Sequence, residues 1–133
     1  MTFAEILKAL NGLSEYKNEG FILASELLGA TKAQLVAFPE REVSKAAARR
    51  FLNKLEKLKN GEPLQYLLGF WEFSDRCFEV GHGVLIPRED TLAVVELSKQ
   101  LLKGKKDAVF ADLGSGSGCI AVTLALDTAT ATA

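Results

Sequence analysis

Asp112 and three glycines set the chemistry open to this chain. The segment Ala108-Val-Phe-Ala-Asp-Leu-Gly-Ser-Gly-Ser-Gly-Cys119 runs from an apolar stretch into an acid, then through glycines at 114, 116 and 118. A helix-forming stretch follows from Cys119. A chain that turns sharply from strand to helix needs positive φ, which glycine adopts at little cost. The missing side chains also let the backbone come close to a ligand. In open α/β sheets the ligand lies beyond the carboxyl end of a parallel strand. Asp112 stands at that end, where its carboxylate could hold a cationic or donor group. This order of parts suits a pocket for an adenosine-containing cofactor. A glycine turn with no ligand is the simpler alternative.

Spacing discriminates among cofactors. A dinucleotide fingerprint requires G-x-G-x-x-G, and Cys119 stands where the third glycine would be. A phosphate loop requires Gly-Lys-Ser or Gly-Lys-Thr, which is absent. What remains, acid-x-Gly-x-Gly-x-Gly, resembles the first motif of the class I S-adenosylmethionine-dependent methyltransferases. The resemblance implies S-adenosyl-L-methionine as cofactor, bound by Asp112, Gly114, Ser115, Gly116, Ser117 and Gly118. It further implies that the acid faces the methionine amino group.

The elements that must position this loop can be followed along the chain. Thr2 with Glu5 reads as a capping box, followed by Phe3, Ile6, Leu7, Leu10 and Leu13 at helical spacing. Glu19 to Leu28 reads as a second helix stopped by Gly29. Thr31 with Gln34 opens a third, which Pro39 ends after Phe38. Ser44 opens a fourth that runs to Asn60-Gly61. Its apolar face carries Ala47, Ala48, Phe51, Leu52, Leu55 and Leu58. The opposite face carries Lys45, Arg49, Arg50, Lys54 and Lys57, read as a solvated face rather than a docking surface. Leu64 to Leu68 is a short helix closed by Gly69.

The period then changes. Phe70–Phe73 and Arg76–Val80 alternate as strands joined by Ser74-Asp75, a β-hairpin. Gly81-His-Gly83 is a turn, Val84–Ile86 a third short strand, and Pro87 its end. His82, the only histidine, reads as a turn residue and not as a general base. A helix from Leu92 to about Lys103 presents Val94, Val95, Leu97, Leu101 and Leu102. Val109–Leu113 suits a central parallel strand covered on both faces. The tail from Asp127 to Ala133 is expected to fray.

Bulk properties narrow the class further. Apolar residues make up 48% of the 133, enough for a core, and no run approaches a membrane span. The N-terminus lacks the features of a signal peptide, so a cytoplasmic location is expected. Cys77 and Cys119 lack metal-ligand spacing and are expected to be reduced and buried, and no metal site is expected. A net charge of −1 offers no bulk attraction to nucleic acid.

Further motifs precede the loop. Gly61-Glu-Pro-Leu-Gln-Tyr-Leu-Leu-Gly69, Trp71-Glu-Phe73 and Val84-Leu-Ile-Pro-Arg88, with Asp112 to Ala121, closely resemble the release factor glutamine methyltransferases. The resemblance implies an α+β chain: an N-terminal helical bundle over 1–69, a linking β-hairpin over 70–87, and the start of a Rossmann-like α/β methyltransferase domain over 88–133. It implies that the helical domain helps to recognise a peptide chain release factor, and that the enzyme methylates the side-chain amide of the glutamine in a Gly-Gly-Gln motif. Pro87, Arg88 and Thr91 match a segment implied to border the active site. Glu89, Asp90 and Leu92 depart from it.

The Asn-Pro-Pro-Tyr loop that the family uses to hold the substrate amide does not occur in these residues, so no catalytic residue is assigned. The 133 residues read as an N-terminal portion expected to be inactive alone, with self-association through an incomplete sheet. Two alternatives stay open. One is a non-catalytic module that binds a release or translation factor. The other is a methyltransferase acting on another amide or amine, in ribosomal protein or DNA.

Overall fold

The computed structural model describes residues 1–128 and 131–132. It is a mixed α+β chain that divides into two compact units, Met1–Leu68 and Gly69–Ala133. Among the described residues no helix is long and apolar enough to cross a membrane.

The first unit is helical: α1 (Phe3–Asn11), α2 (Lys17–Leu28), α3 (Lys32–Ala37), α4 (Lys45–Lys59) and α5 (Leu64–Leu68). The capping box expected at Thr2 forms, and a second forms at Thr31, the expected start of the third helix. At α1 the Thr2 N–H donates to Glu5 Oε2 at 2.8 Å, and the Glu5 N–H donates to Thr2 Oγ1 at 3.3 Å. Thr31 and Gln34 do the same at α3. Such reciprocal bonds satisfy amides that a helix start leaves without partners. The Ser44 hydroxyl accepts from the Ala47 N–H and starts α4. The segment after α3 is bonded back to the start of the chain, with the Phe3 N–H donating to Arg41 O and the Val43 N–H to Met1 O.

The core of this unit gathers Phe3, Ile6 and Leu10 from α1, Leu23 from α2, Leu35 from α3, and Phe51, Leu55 and Leu58 from α4. Gly20 lies where α2 approaches the end of α1. A Cβ there would meet Leu13 Cδ1 at 2.7 Å and Leu10 Cδ2 at 2.8 Å. Leu52 departs from expectation, at 45% exposed. A step of about 100° per residue carries it from the buried Phe51 past the edge of the apolar stripe.

The second unit begins with a hairpin of β1 (Phe70–Phe73) and β2 (Arg76–Glu79), in antiparallel register with Trp71 opposite Phe78 and Phe73 opposite Arg76. Its connection is Ser74-Asp75, with φ of 50° and 59°. Positive φ at both central residues matches the twist of the flanking strands, as in a type I′ turn. The expected third strand at 84–86 does not form. The Val84 N–H donates to Gly81 O at 3.0 Å in the turn that holds His82, which removes it from any ladder.

Next come α6 (Thr91–Leu102), β3 (Ala108–Val109), α7 (Cys119–Asp127) and β4 (Ala131–Thr132). Strands β3 and β4 are parallel, Ala108 opposite Ala131, with α7 as the crossover between them. The expected strand over 109–113 is thus reduced to two residues and shifted back by one. It is not covered on both faces either, since Val109 is 81% and Leu113 93% exposed. On α6 only Val95 is buried, while Val94, Leu97 and Leu101 are exposed. The tail does not simply fray: Asp127 closes α7, and Ala131–Thr132 pair with β3. Residues 129, 130 and 133 of that tail lie outside the described residues.

Phe73, Phe78, Val95, Cys119 and Leu124 form the buried core of this unit, with Leu92, Phe110 and Ile120 packed against it. The rings of Phe73 and Phe78 meet edge to face at 6.3 Å. Cys119 is buried as expected, whereas Cys77 is exposed. Strand alternation accounts for the difference, because Phe78 takes the inward position on β2.

Candidate functional site

The glycine loop joins β3 to α7 as a run of left-handed backbone. Gly114, Gly116 and Gly118 have φ of +77°, +56° and +78°. For an L-residue this region costs roughly 1–2 kcal/mol, which explains glycine at each alternate position. The Gly118 N–H donates to Ser115 O at 2.8 Å, and the Val122 N–H donates to Gly118 O at 2.9 Å, so the loop feeds directly into the first turn of α7. A Cβ on Gly114 would meet nothing within 4 Å, and one on Gly116 only the Gly114 carbonyl at 3.9 Å. The space over the loop is open to a ligand that approaches the backbone.

Asp112 precedes the loop and is half-buried. Its Oδ2 is buried and has no hydrogen-bond partner among the described residues. An orphaned buried carboxylate oxygen is costly, because water is removed and nothing replaces it. It calls for a donor. The ammonium of the methionine portion of S-adenosylmethionine is such a donor, so the residues present fit that cofactor. Ser115 is exposed and Ser117 half-buried beside the glycines.

The residues of the 87–91 segment do not all share one place. Pro87 is buried, Arg88 exposed and Thr91 half-buried at the start of α6. Pro87 and Arg88 line a cavity of about 300 Å³ together with Trp71–Asp75 of the hairpin, Glu89 and Leu92. Thr91 lies outside its lining, and its N–H donates to Arg88 O at 3.0 Å. The glycine loop is no part of that wall either. What joins loop and hairpin is the shared core, through Cys119 and Leu124 of α7 against Phe73 and Phe78.

Two features escaped the sequence reading. Asp127 lies between two cations: Arg76 Nη2 stands 2.5 Å from its Oδ1 and Lys99 Nζ 2.5 Å from its Oδ2. These bonds tie β2, α6 and the end of α7 together. The Lys99 bond, more than that of Arg76, holds the Asp127 carboxyl below the usual carboxylate range. An acid in the last turn of a helix opposes the macrodipole, and that misfit was the available signal. Thr123 is the second. It is fully buried on α7, and its Oγ1 has no hydrogen-bond partner among the described residues. Among those residues no group of three or more His, Cys, Asp or Glu could hold a metal ion.

Comparison with known proteins bears on these parts. Residues 3–69, half of the chain, match the family model of the PrmC N-terminal domain. The chain is 34% identical over 123 residues to a release factor glutamine methyltransferase of Aquifex aeolicus, covering 92% of this chain and 43% of that one. It is 39% identical over 117 residues to the protein of that name from Moorella thermoacetica, covering 88% and 41%. With that of Bordetella pertussis it shares 37% over 126 residues, covering 95% and 46%. The chain thus spans less than half the length of these relatives. On the match of its helical unit, and on similarity that continues through the glycine loop, the chain belongs to the release factor glutamine methyltransferase family.

Proposed function

We propose that this chain is the part of an S-adenosylmethionine-dependent protein-glutamine methyltransferase that recognises its protein substrate and forms the first half of the cofactor pocket. The observation that carries the reading is Asp112 Oδ2, buried without a partner among the described residues at the head of three left-handed glycines. A carboxylate in that place attracts and orients an ammonium. The glycines keep the approach to the backbone open, and α7 begins at the loop's end. The second unit, with a parallel pair joined through a helix, is then the start of a Rossmann-like domain. When bound, the cofactor supplies an electrophilic methyl group on sulfur. The amide nitrogen of glutamine is a weak nucleophile, so such an enzyme works mainly by holding amide and methyl in line.

The substrate on this reading is the Gly-Gly-Gln glutamine of a peptide chain release factor, with the helical unit as the recognition element. Pro87, Arg88 and Thr91 are proposed to border the active site.

Calorimetric titration with S-adenosylmethionine tests the pocket. Saturable heat that weakens in Asp112→Asn supports the reading. No saturable heat up to about 1 mM cofactor, the scale of a −4 kcal/mol interaction, overturns it. Capture of purified release factor by the chain tests the recognition role, and failure to capture it removes that role.

A further inference from the structure

The cavity beside the hairpin has a composition of its own. Its lining combines an aromatic and apolar surface, from Trp71, Pro87 and Leu92, with the carboxylates Asp75 and Glu89, while Phe73 borders it with its ring in the core and the Glu72 side chain lies on the opposite strand face with Cys77. Arg88 is the one cation among the lining residues. At about 300 Å³ it is the size of a small ligand site. Its acids do not make a metal site, since no group of three or more metal-ligating side chains exists among the described residues.

Such a lining suits a charged head on an apolar stem. The methylenes of a lysine or arginine lie well on aromatic and proline surface while the head stays at a polar rim. A cation over an indole face gains roughly 0.5–2 kcal/mol, and carboxylates at the rim add charge-assisted bonds. We propose that this cavity is a subsite for a cationic side chain, lysine or arginine, presented by a bound polypeptide. The inference rests on the proposed function only in taking a protein as substrate. It places part of that substrate's recognition on the hairpin and the 87–92 segment, apart from the glycine loop.

The protein supplies its own reporter. Trp71 is the only tryptophan of the chain, so emission excited selectively at the indole reports on this cavity. The chain is titrated with N-acetyl-arginine amide and with N-acetyl-citrulline amide, which keeps the shape and removes the charge. The expected result is a saturable change in emission with the arginine probe and one about tenfold weaker with the citrulline probe. Asp75→Asn with Glu89→Gln is expected to weaken arginine binding about tenfold, and Arg88→Gln to strengthen it. Opposite responses to removing acids and removing the base are not what a general loss of structure produces. Equal binding of the two probes, an unsaturable response, or an unchanged Kd in the acid variant overturns the proposal. Where a variant's circular dichroism departs from that of the unaltered chain, the two-probe comparison on the unaltered chain decides. Cofactor is absent throughout, so failure here leaves the methyltransferase reading intact, and failure of cofactor binding leaves this result intact.

Discussion

Lys99 Nζ on α6 lies 2.5 Å from Asp127 Oδ2 at the end of α7, and Arg76 of β2 reaches the other oxygen of the same carboxylate. One side chain thus fastens three elements of the second unit. The Asp127 bond, and after it that of Glu96, raises the Lys99 ammonium above the ordinary lysine value.

The pH dependence follows from these directions. Asp127 has a lowered pKa in the folded state, so its contribution is complete above the ordinary aspartate value near 3.8 and is lost as pH falls through the lower folded value. Lys99 has a raised pKa, so its contribution is complete below about 10.5 and is lost as pH rises through the higher folded value. Urea unfolding of the second unit should therefore weaken at both extremes. Asp127→Asn should flatten both arms, and 1 M salt should reduce the difference between variant and parent.

Asp112→Asn separates binding from stability. The substitution removes the charge from a carboxylate whose buried oxygen has no partner among the described residues, so thermal stability should hold or rise slightly. Cofactor affinity should fall roughly ten- to a hundredfold, the range for a lost charge-assisted hydrogen bond. Calorimetry and thermal melts on the same samples check both.

Gly118→Ala tests the backbone of the loop. A Cβ there would meet only Val122 Cγ2 at 3.7 Å, an ordinary contact. The cost is therefore conformational, about 1–2 kcal/mol for φ of +78°. Gly118→Asn should cost less, since asparagine tolerates the left-handed region. Chemical denaturation ranks the two.

Phe51 and Leu52 are neighbours in sequence with opposite expected effects. Phe51→Ala should destabilise the helical unit by about 3–5 kcal/mol, since its ring is fully buried. Leu52→Ala, at a site 45% exposed, should change stability by less than about 1 kcal/mol. Denaturation followed at the helical band measures both.

The helical unit was largely legible because its signals are local. Thr2 with Glu5, Thr31 with Gln34, Ser44 and Gly29 each mark a helix end through bonds made within a turn. The exposure of Leu52 is not legible, because heptad-like spacing does not say how wide the buried stripe is. The hairpin was legible from alternation, although Ser74-Asp75 lacks the glycine such turns favour. In the second unit the reading was weaker, because strands depend on partners distant in sequence. Val84–Ile86 is apolar enough for a strand but its first amide is used in a turn. Val109–Leu113 has the composition of a central strand, yet only Ala108 and Val109 pair. The positive φ of the three loop glycines follows from their spacing. The ion pairs of Asp127 do not, since Arg76 and Lys99 reach it from separate elements.

The β3–β4 pair has a kinetic consequence. Hairpin residues meet across a two-residue turn, whereas Ala108 meets Ala131 only after the glycine loop and all of α7 have been laid down between them. Closing the longer stretch loses more chain entropy before any ladder bond repays it. The second unit should therefore order from the hairpin outward, with the parallel pair last to form and first to open. The glycine loop lies inside that late-closing stretch. Slow-exchanging amides should accordingly concentrate in β1 and β2, and the loop's final geometry should be acquired at the end of folding.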